Sequence, residues 1–137
     1  MKHEKSCGII PIKYENDQIF VLLIKQNNGV IGFPKGHVEK GESEEETAIR
    51  ECFEETNIKT KIVPNFRDSI EYFMKELNAW KTVVFFIGEM NDPSFKRQES
   101  EISDIFLVKI EEAFKMITFE DTRKLLKKAH NFIKNNQ

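Results

Sequence analysis

Between Glu39 and Glu55 this 137-residue chain sets eight acids against two bases, Lys40 and Arg50. The net charge of the whole chain is only −2, so one short segment holds the negative charge and the rest is mildly basic. A block of like charge is ordinarily a solvated tail or an exposed face. This one is interrupted by Ala48, Ile49, Cys52 and Phe53. At about 100° per residue those four share one helix face with Thr56. The segment is therefore expected to be a helix from about Ser43 to Thr56, with its apolar stripe on a sheet and its carboxylates beside that stripe. Ser43 and Glu46 have the S-x-x-E spacing of a capping box at its start.

The crowding at the far end needs a cause. Glu51 and Glu55 are four residues apart and Glu51 and Glu54 three, and each like-charge pair at these spacings costs roughly 0.2–0.5 kcal/mol. The helix dipole favours acids in a first turn but disfavours Glu54 and Glu55 in the last. Arg50 compensates Glu54 as an i, i+4 pair, and a bound divalent cation would compensate far better. Carboxylate oxygens select hard ions, so the ion expected is Mg²⁺ or Mn²⁺ rather than Zn²⁺. The charge pattern alone leaves open a solvated acidic face that binds nothing.

The remainder reads as strands with one further long helix. Cys7 to Ile12 and Ile19 to Lys25 are expected strands around a turn at Glu15-Asn16-Asp17, and Asn27-Asn28-Gly29 is a second turn. Val30 to Pro34 is short and extended, and Gly36 and Gly41 bracket a loop. Further strands are expected at Ile58 to Val63, Asp68 to Met74, Thr82 to Glu89 and Ile105 to Lys109, with a turn at Asn91-Asp92-Pro93. A short helix follows over Glu111 to Ile117. The last helix starts near Thr118, with Asp121 at the capping-box position and Leu125, Leu126, Ala129, Phe132 and Ile133 on one face. The expected architecture is α/β, a mixed sheet covered by helices in a single domain over residues 1–137.

Twelve phenylalanines and a hydrophobic fraction of 39% supply one core and exclude disorder. A near-neutral balance excludes a polybasic DNA binder. The longest apolar run, Ile19 to Ile24, is strand-sized, so no membrane span or signal peptide is expected. Cys7 and Cys52 make no disulfide framework and sit on apolar patterns, so a reduced, cytoplasmic protein with two core cysteines is expected.

The spacing of Gly36, Glu42, Arg50, Glu51, Glu54, Glu55 and Ile58 resembles the Nudix box, here over residues 36–58: G, five residues, E, seven residues, R-E-U-x-E-E-x-G-U, where U is aliphatic. Two positions depart from it. Cys52 replaces an aliphatic residue, and a free Cys is itself a small hydrophobe. Asn57 replaces Gly just past the helix, and Asn is the next most tolerant residue of the left-handed conformation, so a preserved C-cap is expected. The resemblance implies a Nudix-type α/β/α sandwich with the mixed sheet between the box helix and the C-terminal helix. It implies metal-dependent hydrolysis of a nucleoside diphosphate linkage. Glu51, Glu54 and Glu55, with Gly36, would form the metal site, and Arg50 would orient the glutamates.

Gly8-Ile9-Ile10, the run from Gly32 to Glu39 (GFPKGHVE), Lys81-Thr82-Val83 and Ser100-Glu101 are similar to the asymmetrical diadenosine tetraphosphate hydrolases within that family. That implies a small-molecule nucleotide substrate, a dinucleoside tetraphosphate cut to a nucleoside triphosphate and a monophosphate; a monomer is expected. Glu101, with Glu99 as the alternate, would assist with metal or act as base. A polyphosphate needs cations beyond metal, for which Lys35 and Lys81 are the leading candidates and His37 a further contact. A purine needs an aromatic platform, for which Tyr72 and Trp80 are the candidates. The alternatives are a Nudix enzyme acting on RNA 5′ ends or nucleoside triphosphates, and a non-catalytic nucleotide sensor.

Overall fold

The computed structural model describes residues 2–91, 94 and 96–136. Its elements in chain order are β1 (Lys2–Glu15), β2 (Gln18–Gln26), β3 (Ile31–Gly32), β4 (Lys35–His37), α1 (Glu44–Thr56), β5 (Thr60–Ile62), β6 (Asp68–Met74), β7 (Ala79–Met90), β8 (Ile102–Lys109), α2 (Ile110–Met116) and α3 (Glu120–Asn135). Strands β1 and β7 form the spine. They run parallel, paired from Lys2↔Ala79 to Ile12↔Glu89. Every other pairing is antiparallel: β2 and β4 on β1, β3 and β8 on β2, β5 and β6 on β7. The β1–β2 hairpin turns through Asn16 and Asp17, both at positive φ (52° and 63°), as a two-residue turn matched to strand twist requires.

Strand alternation sorts the core into two layers. Cys7, Ile9, Val84 and Phe86 face one way and pack on Ala48 and Cys52 of α1. Ile10, Ile12, Val83, Phe85 and Ile87 face the other way and pack with Leu125, Leu126, Ala129 and Ile133 of α3 and Ala113 of α2. Each fully buried Leu or Ile of that α3 stripe contributes roughly 1.5–3 kcal/mol. The sheet thus lies between α1 and the C-terminal helices, and the expected α/β/α sandwich with a mixed sheet is the observed fold. Both cysteines are free and buried, and burial pushes Cys7 up to about 11 and Cys52 up to about 12.

Several local expectations hold at the residue level. Ser43 Oγ accepts from the Glu46 N–H, and the Glu46 carboxylate accepts from the Ser43 N–H at 2.8 Å, closing the capping box. Asn57 caps the other end at φ 64°, ψ 18°, its N–H bonded to the Phe53 carbonyl at 2.8 Å. Others are corrected. Gly36 and His37, expected in a loop, form β4 with Lys35 on the edge of β1. Phe53, expected on the packed face, is 40% exposed, while Glu55 beside it is buried. Helix α3 starts at Glu120 behind Phe119 with no side-chain cap. The Thr118 hydroxyl is engaged elsewhere, accepting from the Ile31 N–H at 2.8 Å. The expected Asn91-Asp92-Pro93 turn lies mostly outside the described residues. Among the described residues no helix is long and apolar enough to cross a membrane.

Candidate active site

The strand–loop–helix passage from Lys35 to Thr56 builds the site, and its frame is one guanidinium. Arg50 Nε and Nη2 donate to the two oxygens of Glu42 at 2.6 and 3.0 Å. Its Nη1 donates to Glu51 at 3.0 Å and to Glu54 at 3.1 Å, and Nη2 also donates to the His37 carbonyl at 3.0 Å. Glu42 accepts in addition from the Glu39 N–H at 3.0 Å and the Thr47 hydroxyl at 2.8 Å. Arg50, then these further donors, hold the Glu42 carboxyl down at about 2. A charged fork with this many partners fixes the loop geometrically as well as energetically.

Two close approaches set the floor. A Cβ on Gly36 would overlap the Glu51 carboxylate, so that carboxylate occupies the space a side chain would take. A Cβ on Gly8 would meet the Pro34 carbonyl oxygen at 2.5 Å and Lys35 Cβ at 2.8 Å. Glycine at both positions lets the 34–36 segment press onto β1 and brings Lys35 and Gly36 under α1.

The result is a cleft of about 560 Å³ lined by Lys35, Gly36, His37, Glu51, Glu55, Lys81 and Glu101, among others. Burial and the adjacent Glu51 carboxylate push the Glu55 carboxyl well above the usual range. Burial and the neighbouring Lys81 ammonium pull Lys35 down to about 8. The loop bearing Glu101 is docked by backbone bonds: Gln98 N–H to the Glu55 carbonyl at 3.1 Å, and Asn27 N–H to the Glu101 carbonyl at 2.9 Å. His37 lies at the mouth, its Nε2 3.2 Å from Glu4 Oε2. A second cleft, of about 820 Å³, shares Gln26, Asn28 and Lys35 with the first and is lined by Tyr72, Phe33, Phe85 and Phe119.

The structure therefore brings together Lys35, Gly36, His37, Glu51, Glu55, Lys81 and Glu101, and places Tyr72 in the adjoining cleft. It leaves Glu54, Trp80 and the alternate Glu99 aside. Glu54 stands on the solvent side of α1, bonded to Arg50. Trp80 packs edge-on against Phe73, ring centroids 5.4 Å apart. Tyr72 pairs with Lys81 and Phe73 with Trp80, so alternation turns Trp80 to the opposite face of the sheet. Glu99 lines neither cleft. Phe119 was absent from the sequence candidates; 56% exposed at the start of α3, it was hidden among twelve phenylalanines.

Among the described residues no three His, Cys, Asp or Glu side chains are already grouped as a metal cage. The donor set nonetheless fits a hard cation. Glu51 and Glu55 are adjacent carboxylates, one of them buried with its charge disfavoured, over a glycine that leaves no side chain in the way. A divalent ion there would restore the charged form of Glu55.

This sandwich, with a glutamate-edged helix over a glycine and two lysines, is a fold and site of a known class. The chain matches the NUDIX domain model over residues 2–129 and belongs to that family. It is 34% identical to the asymmetrical bis(5′-nucleosyl)-tetraphosphatase of Sus scrofa over 94% of this chain and 95% of that protein. It is 31% identical to the Caenorhabditis elegans protein of the same name over 73% of each. Its fold superposes on a C. elegans Ap4A hydrolase, determined as a binary complex, with a TM-score of 0.87 at 26% identity, covering 96% of this chain and 98% of that one.

Proposed function

We propose that this protein hydrolyses a phosphoanhydride of dinucleoside polyphosphates, with diadenosine tetraphosphate cut to ATP and AMP. The observation that supports this most is the joining of two unlike clefts at Lys35. One carries acids and lysines; the other is walled by aromatic rings. A polyphosphate chain with a base at its end has that same polarity. The similarity to tetraphosphatases along nearly the whole chain supports the same substrate.

Roles follow from placement. Glu51 and Glu55, with Gly36 leaving the room, would hold Mg²⁺ or Mn²⁺, and Glu54, which shares Arg50 with Glu51, would join them by turning from that bond. Such an ion neutralises phosphate oxygens and lowers the pKa of a bound water. Arg50 holds Glu42, Glu51 and Glu54 in one frame. Lys35 and Lys81 bind the phosphate chain as paired cations, and His37 contacts it at the mouth. Glu101, on the docked loop beside Glu55, accepts the proton of the attacking water. Tyr72 and Phe119 offer faces for the base, where stacking is worth roughly 1–3 kcal/mol. The working unit is one cytoplasmic domain acting as a monomer on a small molecule rather than on DNA.

The test is product analysis with Mg²⁺ across diadenosine tetraphosphate, nucleoside triphosphates and triphosphorylated RNA. ATP and AMP in equal amounts from the dinucleotide is the expected result. An inert dinucleotide with turnover of RNA or a nucleoside triphosphate would replace the substrate. Glu54→Gln should abolish most turnover; a variant that binds and behaves as wild type would mark a sensor.

A further inference from the structure

Among the described residues two buried side-chain oxygens have no hydrogen-bond partner, Ser6 Oγ and Thr60 Oγ1. Thr60 packs against Gly88 and lines neither cleft. Ser6 is 0% exposed and lines the acidic cleft. An orphaned buried hydroxyl is destabilising, and alanine would fill the same place without that penalty.

The sheet register shows what surrounds it. Ser6 pairs with His37 on β4 to one side and with Val83 on β7 to the other. Its diagonal neighbours are Lys35, opposite Gly8, and Lys81, opposite Glu4. Residues 4, 6 and 8 of a strand share one face, so Ser6 lies midway across a floor that carries a lysine on each side. Lysine ammoniums donate and never accept. Glu4, on the same face, is taken up by His37 at 3.2 Å, and no acceptor among the described residues is bonded to Ser6 Oγ. An oxygen bearing negative charge would satisfy both ammoniums and the hydroxyl together.

We propose that Ser6 is a phosphate-binding residue, its hydroxyl donating to an oxygen of the substrate's phosphate chain seated between Lys35 and Lys81. The hydroxyl is closed to solvent, so that oxygen reaches it from the cleft side as the lining side chains give way. The role rests on the polyphosphate reading of the site but depends on the anion and not on the chemistry.

Binding of inorganic tripolyphosphate to the whole chain in EDTA, measured by calorimetry, tests it. Ser6→Ala should bind roughly tenfold more weakly than wild type, the effect of one hydrogen bond to a charged acceptor. It should melt no lower than wild type, because an unsatisfied group has been removed. Ser6→Cys, nearly the same shape with a poor donor, should lose the same affinity and keeps the test open if the alanine variant does not fold. Affinity within about twofold of wild type in either variant overturns the role. Wild-type cleavage of diadenosine tetraphosphate with Mg²⁺ is assayed alongside. Cleavage with unchanged tripolyphosphate affinity in the variants overturns Ser6 alone; Ser6-dependent affinity without cleavage overturns the substrate reading alone.

Discussion

The two sides of α1 solve opposite problems. Around Arg50 the charges are answered within the chain. Glu42 bonds to a guanidinium, a backbone N–H and a hydroxyl, and Glu51 and Glu54 share the same cation. In the cleft, Glu55 is buried against Glu51, Lys35 lies beside Lys81, and Ser6 Oγ has no partner among the described residues. Natural interiors leave few polar groups unanswered. The first region is scaffold, and Glu51 stands on the border between the two. The second holds polar groups that the described residues leave unanswered, which is what the proposed metal and substrate would answer.

Substitutions should separate the two. Glu51→Gln removes a charge from the unanswered floor and should lower kcat about 10³-fold, within the range for a positioned group in a transition state. Because Glu51 also accepts from Arg50, the variant's melting temperature in EDTA should fall by less than that of Arg50→Ala; an equal drop would make Glu51 part of the scaffold alone. Arg50→Ala strikes the answered region and leaves Glu42 and Glu51 without their cation. It should lose about 2 kcal/mol of stability in urea titrations and turnover as well. An active, equally stable variant would dissolve the distinction.

Titration gives a smaller and opposite pair of signs. Glu42 ionises at about 2 when folded, against an ordinary 4.5. Its contribution is present above 4.5 and is lost as pH falls from there toward 2. Glu55 is shifted upward, so without metal its contribution is present below 4.5 and is lost as pH rises through its folded value. Urea unfolding in EDTA across pH 4.5 to 8 should therefore show a slope that Glu55→Gln removes; adding Mg²⁺ should flatten it in wild type. The smallest effect belongs to the helix end. Asn57→Ala places a Cβ-bearing residue without a local polar group at φ 64° and should cost about 1 kcal/mol, with Asn57→Gly neutral or stabilising.

Features set by neighbours in the chain were legible before any coordinates. Ser43, Glu46 and Asn57 act through bonds spanning three or four residues, and the spacing of Arg50 and its glutamates encodes the frame directly. Features set by distant contacts were not. The Thr118 and Asp121 pair has the same local spelling as Ser43 and Glu46, yet the Ile31 N–H, 87 positions away in sequence, takes the hydroxyl. Periodicity assigned Phe53 to the core because it weighs hydrophobicity; the site reverses that by burying Glu55. Trp80 and Tyr72 differ only in strand parity, which follows from the β6–β7 register. Ser6 has no signature at all. A serine in an apolar strand gains meaning only once β4 and β7 close on it.

The parallel pairing of β1 with β7 also has a consequence for biogenesis. Strand β1 leaves the ribosome before its mate, which is encoded more than seventy positions later. Until that mate arrives, Ile9, Ile10 and Ile12 have half a sheet to lie in and an open edge, which is the state most prone to sticking to other chains. Loop closure over that distance precedes the contacts that reward it. Assembly of this protein should therefore be late and concerted, with the cleft floor and the structural spine coming into being in the same event.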